Sequence, residues 1–412
     1  MMEAVKEKVE LQRYPEYKDS GVDWLGEIPK HWNLEKAKYL WEEKADLAKT
    51  EEHTLLSVSQ YSGIGINKEE SRSDSLINYK KVDEDDLVIN IMLAWFGGLG
   101  LSPYSGVVSP SYAVYKLVYD ADPKFLHYLY RTKTYLAEFA RKSTGVVPSR
   151  WRMYTDDFSQ VMTLLPPKEE QAAIANFLDR KAEQIDQAIE IKQKQIELLK
   201  ERRQILIHKA VTRGLNPDAP LKPSGVDWIG DIPEHWEVKQ LKFIAHLESG
   251  ETISSENFTE EGYPVYGGNG FRGYTNRFTN NGEHALIGRQ GALCGNVNYA
   301  KDKFFASEHA VVVYPLNNEN YLWLGEAIKI ADFNRLSQSA AQPGISVNVV
   351  KNVKFPYPHP SEMEEIANYI EDISKTITKT IEPFEYQINK LKEYKTTLIN
   401  SAVTGKIRVN HD

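Results

Sequence analysis

One cysteine, Cys294, stands in 412 residues, so the chain forms neither an internal disulfide nor a thiolate zinc site. No apolar run approaches the roughly 20 residues that span a bilayer, and the opening MMEAVKEKVELQR lacks the apolar stretch of a secretion signal. The expected compartment is therefore the cytoplasm, with no membrane contact. The ten histidines are scattered, with no helical pair at zinc-binding spacing. GNGFRG at Gly268–Gly273 fits the dinucleotide-binding spacing, but YTNRFTNNGEH follows where a phosphate-binding helix would have to begin. Pro217-Asp218 with Glu237-Val238-Lys239 imitates a nuclease core, yet Asp218 lies in a proline-rich linker, which cannot hold a metal. No nucleophile with its base and no S-adenosylmethionine pocket is readable, so the chain is expected to be non-catalytic, without cofactor or metal. Positive charge is also scarce. Fifty Lys and Arg against 58 Asp and Glu leave a net charge of -8, which argues against wrapping nucleic acid unaided, although local patches outweigh the total.

What the chain does have is repetition. SGVDWLGEIPKHW at Ser20–Trp32 returns as SGVDWIGDIPEHW at Ser224–Trp236, an offset of 204, and such a long period points to a duplicated structural unit. Trp24, Trp32, Trp228 and Trp236, half of the eight tryptophans, read as packing anchors rather than binding residues. Farther on, Ile174-Ala175-Asn176, Leu199-Lys200-Glu201 and Ala210-Val211-Thr212 recur as Ile366-Ala367-Asn368, Leu391-Lys392-Glu393 and Ala402-Val403-Thr404, all at 192. A block that keeps one offset over some 40 residues is expected to be a single rigid element.

Its apolar spacing names the element. With Leu178 at a heptad a position, Ile185, Lys192, Leu199 and Leu206 follow at a, and Ala182, Ile189, Ile196, Arg203 and Ala210 at d. The copy reads Ile370, Ile377, Phe384, Leu391 and Leu398 at a, and Ser374, Ile381, Ile388, Lys395 and Ala402 at d. Each copy has eight apolar residues in ten, the pattern of a long helix with a coiled-coil seam. Forty residues at about 1.5 Å each give a rod of roughly 60 Å, too long for packing within one small domain.

Between the repeated blocks, residues 33 to 165 and 237 to 357 differ from each other and absorb every insertion. Both are rich in short β-like runs, DDLVINIM and SYAVYKLVY in the first, HALIG and HAVVVYP in the second. Prolines then end the last strand and acidic residues open the helix. The expected fold class is α+β: two β-rich mixed globules joined by two long helices that form an antiparallel coiled coil, with an internal pseudo-twofold repeat. The boundaries are 1–165 for the first globule with its lead-in, 166–215 for the first helix, 216–358 for the second globule and 359–412 for the second helix. A cyclic repeat of this kind returns AVTGKIRVNHD to the neighbourhood of LQRYPEYKDSG, so that each lead-in seats a globule on the end of the helices.

The order of these pieces, SGVDWLGEIPKHW, variable globule, LPPKEEQAAIANFLDRK, long helix ending AVTRG, and then all of it again, resembles the specificity subunit of type I restriction-modification systems. The resemblance covers essentially the whole chain. It implies two target recognition domains, each reading half of a split double-stranded DNA sequence, and helices that act as a spacer and dock two methyltransferase subunits. It also implies restriction subunits, the ATP-dependent translocase and endonuclease, joined through the complex. S-adenosylmethionine, ATP and Mg²⁺ would belong to these partners. PYPHPSEMEE in the second unit departs from the pattern, lacking the double proline and the glutamine of PPKEEQ.

Residues for such a role are present. Lys124 to Tyr154 carries Lys124, Arg131, Lys133, Arg141, Lys142, Arg150 and Arg152 against Glu138 alone, a patch suited to backbone phosphates. GGNGFRGYTNR supplies Asn269, Arg272 and Arg277, IGRQGALCGN supplies Arg289 and Gln290, and Gln342 follows in AAQPG. Arginine pairs with guanine and Asn or Gln with adenine, while glycines let the backbone approach a groove. In the first globule SVSQYSGIG, with Gln60 and Tyr61, and STGVVPSRWR are the corresponding loops. Two competing readings remain at this level: a free-standing two-headed binder of another extended ligand such as a polysaccharide, which the 23 tyrosines would suit, and an autonomous nuclease, which the absent carboxylate cluster disfavours.

Overall fold

The computed structural model of the protein describes residues 12–61, 63–67, 75–147, 151–291, 294–336 and 344–409. Contacts divide the chain into two units, Met1–Ile191 with Gln387–Asp412, and Lys192–Tyr386.

The two units share one topology, and both sequence offsets reappear in their strand registers. The first lead-in is a hairpin that pairs Tyr17 with Pro29, and the second pairs Leu221 with Pro233. Next, Asn33–Lys36 pairs with Met162–Leu165, Lys36 opposite Met162, while Glu237–Gln240 pairs with Lys354–Tyr357, Gln240 opposite Lys354. These strands close each globule, so its beginning and end lie side by side on the way to the helix.

Each globule is built on a four-stranded antiparallel sheet with the same order. It runs Trp41–Glu43, Tyr112–Leu117, Leu87–Asn90, Leu99–Leu101 in the first, and Ala245–Ser249, Ala310–Pro315, His284–Gly288, Val297–Ala300 in the second. The four runs expected to be strands are the central pair of each sheet, buried on both faces and hence nearly continuous in apolar residues. A hairpin follows the first strand of each sheet, Leu56–Ser59 with Gly63–Ile66, and Tyr263–Gly267 with Gly270–Thr275. A capped helix follows the last, Pro123–Tyr130 behind Asp122 and Tyr321–Ile330 behind Asn320. The first unit then adds a helix, Lys133–Lys142, where the second has the 3-10 turn Phe333–Leu336.

The long helices run from Lys168 to Arg213 and from Pro360 to Val403. None of the twenty seam positions is exposed. In the first unit Ile174 and Leu178 share a core with Leu398 and Ala402, and Asp186 pairs with Lys395 at 2.7 Å. In the second, Ile207 and Ala210 share a core with Met363 and Ile370, and the Lys192 ammonium lies 5.7 Å from the centre of the Phe384 ring. Rising numbers on one helix meet falling numbers on the other, so the helices pair antiparallel within each unit. Of the four polar seam residues, Lys192 and Lys395 thus have partners, while Arg203 and Ser374 line one cavity of about 370 Å³ with Ile207, Glu326 and Lys329.

The doubled lead-in has a definite task. Trp32 and Trp236 are fully buried, and their indole N–H groups donate to Glu170 at 3.2 Å and Glu362 at 2.9 Å, in the first turn of each long helix. His31 and His235 bond the same carboxylates at 2.8 and 3.0 Å, and the Tyr14 hydroxyl also donates to Glu170. Trp24 and Trp228 stack edge-on against Tyr135 and Phe355. The return of the last segment is also seen: the Arg408 N–H donates to the Gln12 carbonyl at 2.7 Å, and the Tyr17 hydroxyl to that of Gly405 at 2.9 Å.

The departure at PYPHPSEMEE has a local explanation. Buried Gln171 accepts from the Asp122 N–H at 2.9 Å and donates to the Pro166 carbonyl at 2.8 Å. Its counterpart Met363 lies in the apolar core, and the tie between globule and helix passes instead from the Asn320 amide to Glu364 at 2.7 Å.

Candidate nucleic-acid interface

In each globule two loops meet; both are singled out in the sequence of the second globule, but only the Gln60–Tyr61 turn in that of the first. They are the turn of the hairpin and the connection between the last two strands of the sheet order. In the first globule the Gln60–Tyr61 turn lies against Gly97, where a Cβ would stand 3.2 Å from the Gln60 carbonyl, and Gly97 holds φ at +93°, so glycine is required there. In the second, the Gly268–Asn269 turn lies against Gly288, where a Cβ would fall 2.2 Å from the Gly268 carbonyl. The equivalent place is thus occupied by Gln60, Tyr61, Trp95 and Phe96 in one unit, and by Asn269, Arg289 and Gln290 in the other.

The first pair of loops is fastened by one side chain. The Arg131 guanidinium donates to the carbonyls of Gln60 at 3.1 Å, Tyr61 at 3.0 Å, Gly97 at 3.1 Å and Leu99. Burial pulls it below the ordinary arginine range, yet an arginine so placed stays a cation. Beside it His127 accepts from the Leu101 N–H at 3.1 Å, and burial, with the Arg131 charge, lowers its pKa to about 4. Arg131→Met should therefore release both loops and cost about 1–3 kcal/mol, read by urea unfolding, with new protease sensitivity near Tyr61. An unchanged midpoint and cleavage pattern would remove the clamp from the account.

The basic run of the first globule divides. Lys124 pairs with Asp179 on the long helix at 2.8 Å, Arg131 is the clamp, and Arg141 grips Glu138 through two nitrogens at 2.6 and 2.7 Å. The expected uniform patch is therefore narrower than its sequence count. Lys133 and Arg152 are exposed and Lys142 half-buried, and among the described residues no acid lies within ion-pair distance of them. Arg152 pairs by backbone with Thr144, and its neighbours tie it to the loops: Trp151 meets Trp95 at 5.4 Å and the Met153 N–H donates to Ile91.

In the second globule Arg289 is held by backbone bonds to His309 and Ile345, and its guanidinium donates to Ser249 at 3.3 Å. Gln290 bridges to Gly344 and its side chain is exposed, as is that of Asn269. Arg272 lies over the Phe258 ring at 5.6 Å, and Arg277 over Phe305 at 4.6 Å with Glu251 at 2.8 Å. Those two cations are thus engaged by the globule itself. Arg150 and Gln342 lie outside the described residues. Sequence reasoning passed over Trp95, Phe96 and Trp151, whose apolar character in AWFGG and RWR reads as core rather than surface.

Two globules of one topology, each presenting a pair of apposed loops of different composition from an otherwise repeated frame, define a duplicated recognition module on a helical scaffold. Residues 233–383 match the family model described as type I restriction modification DNA specificity domain. The EcoprrI specificity subunit of a type I restriction enzyme of Escherichia coli is 38% identical over 148 residues, which make up 35% of this chain and only 37% of that protein. The MjaVIII specificity subunit of Methanocaldococcus jannaschii is 25% identical over 372 residues, 81% of this chain and 83% of that one. A chain solved in work on complex assembly and conformational transition of the type I R-M system shares the fold, with a TM-score of 0.69 at 14% identity over 91% of this chain and 98% of that one. Over these stretches the chain is similar to the specificity subunits of type I restriction-modification systems.

Proposed function

We propose that the chain is the DNA-recognition subunit of a type I restriction-modification complex, in which each globule reads one half of a bipartite duplex target. The observation that carries this reading is the pair of apposed loops at one topological position in both globules, different in residues but alike in frame. Adenine methylation and ATP-dependent cleavage fall to methyltransferase and restriction subunits, which bring S-adenosylmethionine, ATP and Mg²⁺. The paired helices dock two methyltransferase subunits and set the distance between half-sites.

Methylation mapping of the assembled complex tests both parts. Exchanging residues 33 to 165 for another member's globule should change one half-site and leave the other. Inserting one heptad after Gln193 and one after Pro383, beside the contact of Lys192 with Phe384, keeps the seam and adds about 10 Å. The unread gap should grow by about three base pairs. If both half-sites change on exchange, or the gap stays constant on insertion, the corresponding part is wrong.

Charge separates two kinds of contact. Arg289→Ala should cost roughly 1–3 kcal/mol on the target and relax one base position, as for a guanine contact. Lys142→Ala should weaken binding to all sequences alike and flatten the salt dependence by about one ion. An Arg289→Ala complex that methylates an unaltered motif with unaltered affinity excludes that residue from base reading.

A further inference from the structure

We propose that the two globules read their half-sites by different physical means. The first presses Tyr61 and Phe96 onto base faces at one opened step, whereas the second bonds base edges through Asn269, Arg289 and Gln290. The proposal rests on the reading of the chain as a duplex reader and specifies how that reading is done.

The contrast lies in what the apposed loops expose. Tyr61 is 86% and Phe96 53% exposed, and Met92 and Leu93 beside Phe96 are exposed too. Exposed apolar surface of this kind on apposed loops is unfavourable in water unless something covers it. The loops beneath it are rigid: Arg131 holds four carbonyls from both, and Trp95 packs between Phe96 at 5.3 Å and Trp151 at 5.4 Å. Rings projected from a braced backbone lose little conformational freedom on binding.

The surroundings select the partner. Lys133, Lys142 and Arg152 stand on the elements that support these loops, and among the described residues no acid is paired with them. Apolar rings bordered by unpaired cations match the base and phosphate of a nucleic acid rather than an apolar protein face. In an intact duplex the base faces are covered by their neighbours, so aromatic rings reach them only where a step opens. Proteins that insert apolar side chains do this at deformable steps and kink the duplex. Asn269, Arg289 and Gln290 need no such opening, because their partners line the groove of unbroken DNA.

The test uses the full chain with its methyltransferase partners on a duplex carrying the mapped target. 2-Aminopurine is placed at each position in turn, apart from the methylated adenines and their neighbours, and its fluorescence reports unstacking. A several-fold rise is expected at one step of the half-site assigned to the first globule, and none in the other. Tyr61→Ala with Phe96→Ala should abolish the rise, and each alone should weaken binding on the order of 10-fold. Phe96→Trp should keep the rise, as should Arg289→Ala. Specific binding with no unstacked position, or a rise that survives the double variant, overturns the wedge and leaves the recognition function standing. Loss of affinity on replacing thymine with uracil, without unstacking, does the same, since Phe96 would then touch a methyl group. A complex without sequence preference overturns both the function and the wedge.

Discussion

Replacing Trp32 or Trp236 with alanine should destabilise the unit that holds it by about 3–5 kcal/mol. Both indoles are fully buried and both donate to the carboxylate that opens a long helix, so the substitution leaves a cavity and strips Glu170 or Glu362 of a donor. The two losses should add, because each tryptophan belongs to a separate core. Phenylalanine should cost less, since it fills most of the cavity but cannot donate. Phe96→Ala is the control: its ring is exposed on the loop surface, and its loss should move the unfolding midpoint little. Urea unfolding of the three variants decides the matter, and a cost below about 1 kcal/mol for Trp32→Ala would end the anchor reading of the doubled lead-in.

Acid should weaken the first unit through His127. Its folded pKa of about 4 lies below the unfolded value near 6.5, so the unfolded chain binds the extra proton first. Stability is then independent of this group above about pH 6.5, falls as pH drops from there towards 4, and levels off below. The full drop amounts to roughly 3–4 kcal/mol. The geometry agrees with the sign, because Nδ1 accepts from the Leu101 N–H and cannot do so when protonated, and the Arg131 charge stands nearby. His127→Asn keeps an acceptor without a titration in this range, so its urea midpoint should lose that part of the pH slope. An identical slope in the variant would assign the acid sensitivity to other groups.

How far the sequence reached depends on the range of the physics involved. The seam residues were readable because a heptad is a local pattern, set by the turn of the helix, and here it is written twice. The anchors were readable for the same reason: two offsets, 204 and 192, converge on Trp32 with Glu170 and on Trp236 with Glu362. Lys124, Arg131 and Arg141 looked like members of one basic patch, and only their partners, from three residues away at Glu138 to 71 at Gln60, withdraw them from it. Trp95 and Phe96 carried no outward signal at all, since an apolar pair between glycines reads the same in a core and on a rim.

The sequence by itself therefore determined the duplication, the helices with their seam, the proline-bounded junctions, and the family that the chain resembles. Each of these rests on spacing along the chain, which any fold must respect. Tertiary structure alone decided which cations remain free, which loops stand side by side, and that one globule presents rings where the other presents hydrogen-bonding groups. Those outcomes depend on contacts between residues far apart in the chain, such as Arg131 with Gln60 and Tyr61, and on burial, which no local pattern encodes.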